Sequence, residues 1–209
     1  MDQYQHIAEV VALTLGVSWA SGINLYAAIA MLGVLGASGS YELPPGLELL
    51  ENPLVIGAAG LMYVVEFFAD KIPGVDTAWD GLHTFVRIPA GVLLAVGSAG
   101  ELGPAAEFAA AILGGSLAAG THATKAGSRV LINSSPEPFS NWGASVAEDA
   151  MVFGGLWVAL QHPWLFLALL VAFVLFMIWL LPKIWHGIRR IFGWLREQLG
   201  GQPRPPARR

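Results

Sequence analysis

Between Trp164 and Leu181 the chain runs for eighteen residues without a charge, a proline or a glycine. A helix of that length and character covers most of the ~30 Å hydrocarbon core of a bilayer, at about 1.5 Å per residue. This one stretch commits the protein to lipid. Composition agrees: charged residues make up 12% of the 209, against about 25% in soluble domains, so the polar surface of a soluble fold is missing. Mean hydropathy is +0.59, which fits the same class. The absence of cysteine excludes a disulfide framework, a thiolate nucleophile and a thiolate metal site. Asp2 and Glu9 stand where a signal peptide would carry its basic region, so no cleavable leader is expected.

The hydropathy pattern predicts an all-α, polytopic transmembrane bundle of six segments, roughly 7–36, 53–69, 76–99, 105–132, 144–160 and 163–182. Together they form a transmembrane domain, 1–182. An amphipathic interfacial helix, 183–200, follows, with Ile184, Ile188, Ile191, Leu195 and Leu199 on one side and arginines on the other. The Pro/Arg-rich end, 201–209, is expected to be a disordered basic tail.

Small residues interrupt the first and fourth segments in matching places. Gly16, Ser18, Ala20 and Gly22 recur as Gly114, Ser116, Ala118 and Gly120 at a constant offset of 98, which aligns Asn24 with His122. Read as homologous halves, 7–99 and 105–182, each would hold three spans. An odd number per half places the second upside down, an inverted repeat. Seven of the eleven Lys and Arg residues lie after residue 182, which puts the C-terminus in the cytoplasm. Counting back through six spans places the N-terminus there too. The segments 37–52, 100–104 and 161–162, expected outside, contain no Lys or Arg.

Ionisable residues inside such a chain need a reason. Asp76, Asp80, His83 and Arg87 have helical spacing and share one face, and His122, Lys125 and Arg129 form a second one-sided stripe. A charge at bilayer depth costs at least ~2.5 kcal/mol even on lenient insertion scales, so the two stripes call for each other. Arg87, just before Pro89, lies too deep to snorkel and needs a carboxylate, a freed carbonyl or a bound anion. Pro73 and Gly74 separate the second and third segments, with Asp76 placed as an N-cap and Asp70 and Lys71 readable as a wet turn. Glu66 lies a turn deeper. Arg129 is expected at the inner interface. Ser145-Val-Ala-Glu148 resembles a capping box, and Asp149 is left within reach of Lys125 and Arg129. A helix broken at Ala20-Ser-Gly22 or Ala118-Ala-Gly120 would expose backbone groups for ion or solute coordination, whereas the alternative is that these small residues only let helices pack closely.

Ala20-Ser-Gly22-Ile-Asn24, the run Glu66 to Asp76, Lys125-Ala-Gly-Ser-Arg129 and Ser145-Val-Ala-Glu148-Asp149 resemble a family of small bacterial membrane proteins catalogued as domain of unknown function 4126. The similarity covers roughly residues 8–180, and Asp70-Lys-Ile-Pro-Gly-Val-Asp76 is its most specific part. The resemblance implies a bacterial inner-membrane protein and supplies no substrate or reaction.

The residues point to a transporter or channel for a small ion or solute. Asn24, Asp80, His83, Arg87, His122 and Lys125 would line its path, and Glu66, Asp70, Asp76, Arg129 and Asp149 its cytoplasmic mouth. Asp80 would accept a cation or proton, with Arg87 and Lys125 tuning it or holding an anion. The other reading is a non-transporting scaffold or assembly factor whose charges are structural locks. An enzyme is not expected, since no HExxH, Gly-x-Ser-x-Gly or phosphate loop appears. Neither metal nor cofactor is called for. Expected partners are the bilayer, anionic inner-leaflet lipid at the basic tail, the transported solute and a second copy through the Gly/Ala-rich first and fourth segments. Nucleic acid is not among them.

Overall fold

A computed structural model describes residues 2–134 and 139–199. Among the described residues every regular element is helical: α1 (Asp2–Ala37), a 3-10 helix (Pro45–Glu51), α2 (Pro53–Ala69), α3 (Val75–Ala99), a 3-10 turn (Gly100–Leu102), α4 (Pro104–Ile132), α5 (Phe139–Gln161) and α6 (Pro163–Leu199). The bundle has its polarity reversed. Arg87 and Arg129 are its largest fully buried side chains, while Leu54, Leu61, Phe85, Leu93 and Phe108 are more than 60% exposed. Apolar surface on that scale is stable only against lipid. Four helices are long and apolar enough to cross a membrane, namely α1, α3 with the turn after it, α5 and α6. The first 3-10 helix and α2, bent by 70°, make a fifth if counted as one span. These are the features of a multi-pass membrane protein. α4 falls short of that apolarity because Gly, Ser, Thr, His122, Lys125 and Arg129 crowd it.

α1 does not cross as a single rod. Asn24 has φ −146° and ψ 94°, a non-helical residue joining two helical arms. The arms fold back on each other, as their neighbours show. Along 2–23, residues Val10 to Leu15 lie against Ala99, Leu102 and Ala106 to Leu113. Further down, Ser18 bonds the Gly91 carbonyl, Ser21 the Arg87 carbonyl, and Ile23 meets Lys125. The second arm, 25–37, climbs back along α2: Tyr26 and Ile29 face Ala58, Ala59 and Met62, and Gly36 faces Glu51. His6 and Glu9 therefore line the same cavity as Tyr41, Glu42, Glu48, Glu51 and Glu101. The Tyr41 phenol has its pKa pushed up by burial and then by the Glu9 carboxylate, which the fold-back brings alongside. α1 is a helical hairpin whose two open ends lie at one end of the bundle and whose tip lies inside it.

Three expectations change with it. The segment 7–36 is two arms joined at Asn24, and residues 2–10 lie at the end of the bundle opposite the end of α6, because Gln5 accepts from Trp164 at the start of that helix. The small-residue stretches of α1 and α4 lie side by side and parallel, since position rises together along both from Val10 beside Ala106–Leu113 to Ile23 at Lys125. Parallel neighbours are not related by an axis in the membrane plane, so these stretches give no inverted repeat. Their glycines are also consumed within the chain: a Cβ on Gly22 would sit 2.6 Å from the Ala118 carbonyl oxygen, and one on Gly114 2.6 Å from Ser18 Oγ. α1 and α4 therefore spend these glycines on contacts within the chain.

α6 continues through Pro182 to Leu199. The first turns of the expected interfacial helix belong to the bundle, because Ile184 and Ile188 pack on Gly127 and Leu131 lies over Gly187. The tail 201–209 lies outside the described residues.

Candidate functional site

Beneath the hairpin tip, α2, α3, α4 and α5 each deliver charged side chains to one buried cluster. α3 supplies Asp80 and Arg87. Arg87 donates through Nη1 to Asp80 Oδ1 at 3.0 Å and through Nη2 to Glu66 Oε1 at 2.6 Å. α4 supplies His122, Lys125 and Arg129. The Lys125 ammonium lies at the centre, 3.0 Å from Asp70 Oδ2, 3.4 Å from both Glu66 Oε1 and Glu148 Oε2, and 3.7 Å from Asp80 Oδ1. Arg129 grips Glu148 with Nη2 at 2.7 Å and Nε at 3.2 Å. It also donates to the Asp70 and Asn141 carbonyls and to the Asn141 side chain. Bidentate and charge-assisted bonds of this kind are among the few that offset the cost of taking ions out of water.

The hairpin tip is part of the same network. In an unbroken helix the Ala27 N–H would bond the Ile23 carbonyl. Here it bonds Asn24 Oδ1 at 3.0 Å, so Asn24 caps the second arm. The released Ile23 carbonyl takes the Lys125 ammonium at 3.0 Å. The Asn24 amide donates its N–H to Asp149 Oδ1 at 3.0 Å. One asparagine thus breaks a helix, caps its continuation and ties the break to α5.

Histidine roles follow from their partners. Arg87 Nη1 lies 3.3 Å from His122 Nδ1, and an arginine only donates, so Nδ1 is the acceptor. The imidazole proton is then on Nε2 and points to Thr84 Oγ1 at 2.8 Å, which itself donates to the Asp80 carbonyl. His122 is a neutral spacer between Arg87 and α3.

The two stripes do meet, though not every residue takes its expected place. Asp80, Arg87, His122 and Lys125 come together, with Glu66 and Asp70 from the expected mouth. Asp70 is buried, not part of a wet turn. Arg129 is buried in the cluster, where Asp70, Asn141 and Glu148 close over it. His83 stays apart, stacked on Trp79 and bonded to Tyr26. Asp76 is also apart: α3 starts at Val75, and the Asp76 carboxylate holds the Gly74 and Thr77 N–H groups and the Asn133 amide. Asn24 and His122, aligned in sequence, do not bond each other. The capping box fails because α5 begins at Phe139, which places Ser145 inside the helix, where its hydroxyl accepts from Lys71. Glu148 is therefore a cluster member, and Asp149 has Asn24 as its partner. Asn141, Thr84, Tyr26 and the Ile23 carbonyl carried no signal in the sequence, since neutral groups reveal themselves only through what they face. Among the described residues no three His, Asp or Glu side chains are grouped to hold a metal ion.

The family model for Domain of unknown function (DUF4126) matches residues 11–183. The chain belongs to this family. The match takes in the hairpin from residue 11 and every member of the cluster, so the DUF4126 domain and the ionic core coincide. Arg189, Arg190 and Arg196 lie beyond it. No curated protein and no solved structure matches the chain.

Proposed function

We propose that this protein moves a small ion or solute across a bacterial inner membrane, with the charged cluster as the selective part of its path. One observation carries the reading: a re-entrant helix pair ends at mid-bundle on a cluster with more carboxylates than cations. Among the described residues Glu66, Asp70, Asp80 and Glu148 pair with Arg87, Lys125 and Arg129, while Asp149 bonds Asn24 and has the partly buried Lys71 as a further charge nearby. A fold needing only a lock would balance its charges, because every unpaired ion left in the interior costs several kcal/mol. Re-entrant backbone at membrane depth belongs where it is buried in protein or lines a path. The face bearing Lys71, Lys183, Arg189 and Arg190 is assigned to the cytoplasm by the positive-inside rule. That places residues 2–10 and the glutamates of the cavity beside them outside. Arg189, Arg190 and Arg196 would then rest on anionic inner-leaflet lipid.

The test is flux in proteoliposomes under an imposed membrane potential, with protons, alkali cations, halides and small anions as probes. Flux in wild type and its loss in a monodisperse Asp80→Asn protein is the expected result. A second reading, a scaffold held by structural ion pairs, draws on the pairing of all three cations with buried carboxylates. It expects no flux, and a Asp80→Asn protein destabilised by about 3–5 kcal/mol, the usual cost of breaking a buried pair.

A further inference from the structure

We propose that the ion handled at this site is a proton and that Asp149 carries it; the inference rests on the transport reading above. The five carboxylates of the site are not equivalent. Glu66, Asp70, Asp80 and Glu148 share eight ion pairs with Arg87, Lys125 and Arg129, and Asp149 takes part in none of them. Its Oδ1 accepts from the Asn24 amide, and its Oδ2 is enclosed without a hydrogen-bond partner among the described residues. The groups that face it are the Tyr63 hydroxyl and Glu66 from α2, Asp70 and Lys71 just after α2, and Lys125 from α4. Lys71 forms no ion pair with Asp149, and its ammonium is engaged by the Phe67 carbonyl and ring and by Ser145 Oγ.

The oxygen inventory at the break decides the class of ion. A broken helix serves a metal cation by offering it freed carbonyls. Here the Ile23 carbonyl is taken by Lys125 and Asn24 Oδ1 by the Ala27 N–H. Unpartnered oxygens remain on Asp149 and also on Glu66, Asp70 and Asp80, but those last three carboxylates are each held by a cation, and among the described residues no three His, Asp or Glu side chains are grouped to hold a metal ion. An alkali or divalent ion needs several oxygens, whereas a proton needs one. The step is a proton binding at Oδ2 from one side of the membrane and leaving it towards the other, with Oδ1 still accepting from Asn24 and the Tyr63 hydroxyl beside it as relay. Because Asn24 also caps the second arm, the charge on Asp149 bears directly on the hairpin tip.

The experiment is a pH-jump infrared difference spectrum of the full chain in liposomes, run beside pH-gradient-driven flux. The carbonyl band of a protonated carboxylic acid should appear in wild type and in Asp80→Asn. It should vanish in Asp149→Asn, which keeps the oxygen that Asn24 needs, and shift in Asp149→Glu. Proton flux should be lost in Asp149→Asn. A band that survives in Asp149→Asn, or that does not move in Asp149→Glu, overturns the assignment. Solute flux that persists in Asp149→Asn and ignores pH overturns the proton inference and leaves transport standing. An Asp149 band with no flux of any probe in wild type upholds the proton site and removes the transport reading.

Discussion

Gly16–Asn24 in α1 and Gly114–His122 in α4 share four small residues at matched positions and lie parallel in the centre of the bundle, yet only the first breaks. The small residues therefore do not cause the break. They permit the contact, and the ninth residue decides what the backbone does. Asn24 has a short side chain with an acceptor that reaches the N–H three residues on, so it replaces the carbonyl it displaces. His122 has both ring nitrogens engaged with Arg87 and Thr84, and its helix runs on. The break also needs a consumer for the released carbonyl, and Lys125 from the unbroken partner supplies it. The two stretches are complementary: one opens its backbone, and the other fills the opening with a charge.

The largest effect is expected from removing that charge. Lys125→Met leaves Glu66, Asp70, Asp80 and Glu148 short of a buried counter-ion and the Ile23 carbonyl without a donor. Loss of one partner from a buried network costs about 3–5 kcal/mol. The variant should fail to elute as a monodisperse species in detergent, or melt far below wild type. A variant as stable as wild type would mean that the break does not depend on Lys125.

Next comes the matched glycine pair. A Cβ on Gly22 would lie 2.6 Å from the Ala118 backbone oxygen, and one on Gly120 would lie 2.9 Å from the Met177 methyl group. Backbone cannot yield, whereas a methionine tip can. Gly22→Ala should therefore cost about 1–3 kcal/mol by overpacking and Gly120→Ala much less, as read from thermal unfolding of the two proteins side by side. Equal costs would show that the α1–α4 contact is not set by Gly22.

How much of this was legible in the sequence follows from the same residues. The helices and the two polar stripes were readable because spacing and hydropathy are local properties. The fold-back of α1 was not. A chain with no charge between Val10 and Tyr41 scores as one long span whether it crosses or returns, and a lone Asn in it reads equally as packing or as a break. Direction was lost for the same reason: the alignment of α1 with α4 showed likeness, and only the contacts showed that they run parallel. Glu148 was misplaced because its capping box looked complete before the helix start at Phe139 was known. Arg129 obeyed a topology rule that gives no account of burial.

Asn24 gives a smaller and sharper test. Asn24→Ala removes the cap and the bond to Asp149. The expected cost is about 1 kcal/mol, typical of a lost N-cap, measured by chemical or thermal unfolding. Asn24→Asp keeps an acceptor for the Ala27 N–H but sets a carboxylate against Asp149. If the break serves only packing, the aspartate variant should be the more stable of the two at every pH. If the tip and Asp149 act as one unit, it should be less stable than the alanine variant at high pH, where both carboxylates are charged. It should recover as pH falls and one of them binds a proton.

The smallest expected effect belongs to the unbroken partner. Thr84→Val removes the acceptor of His122 Nε2 while keeping the shape of the side chain. A neutral hydrogen bond in the interior contributes about 1 kcal/mol, and the stranded N–H adds to the loss. Because Arg87 still donates to Nδ1, the ring should keep its place and α4 its path, so any flux should fall only modestly. A collapse of flux in Thr84→Val would assign His122 a part in the path itself and end its reading as a neutral spacer. It would also shift the working half of the matched pair from the helix that breaks to the helix that does not.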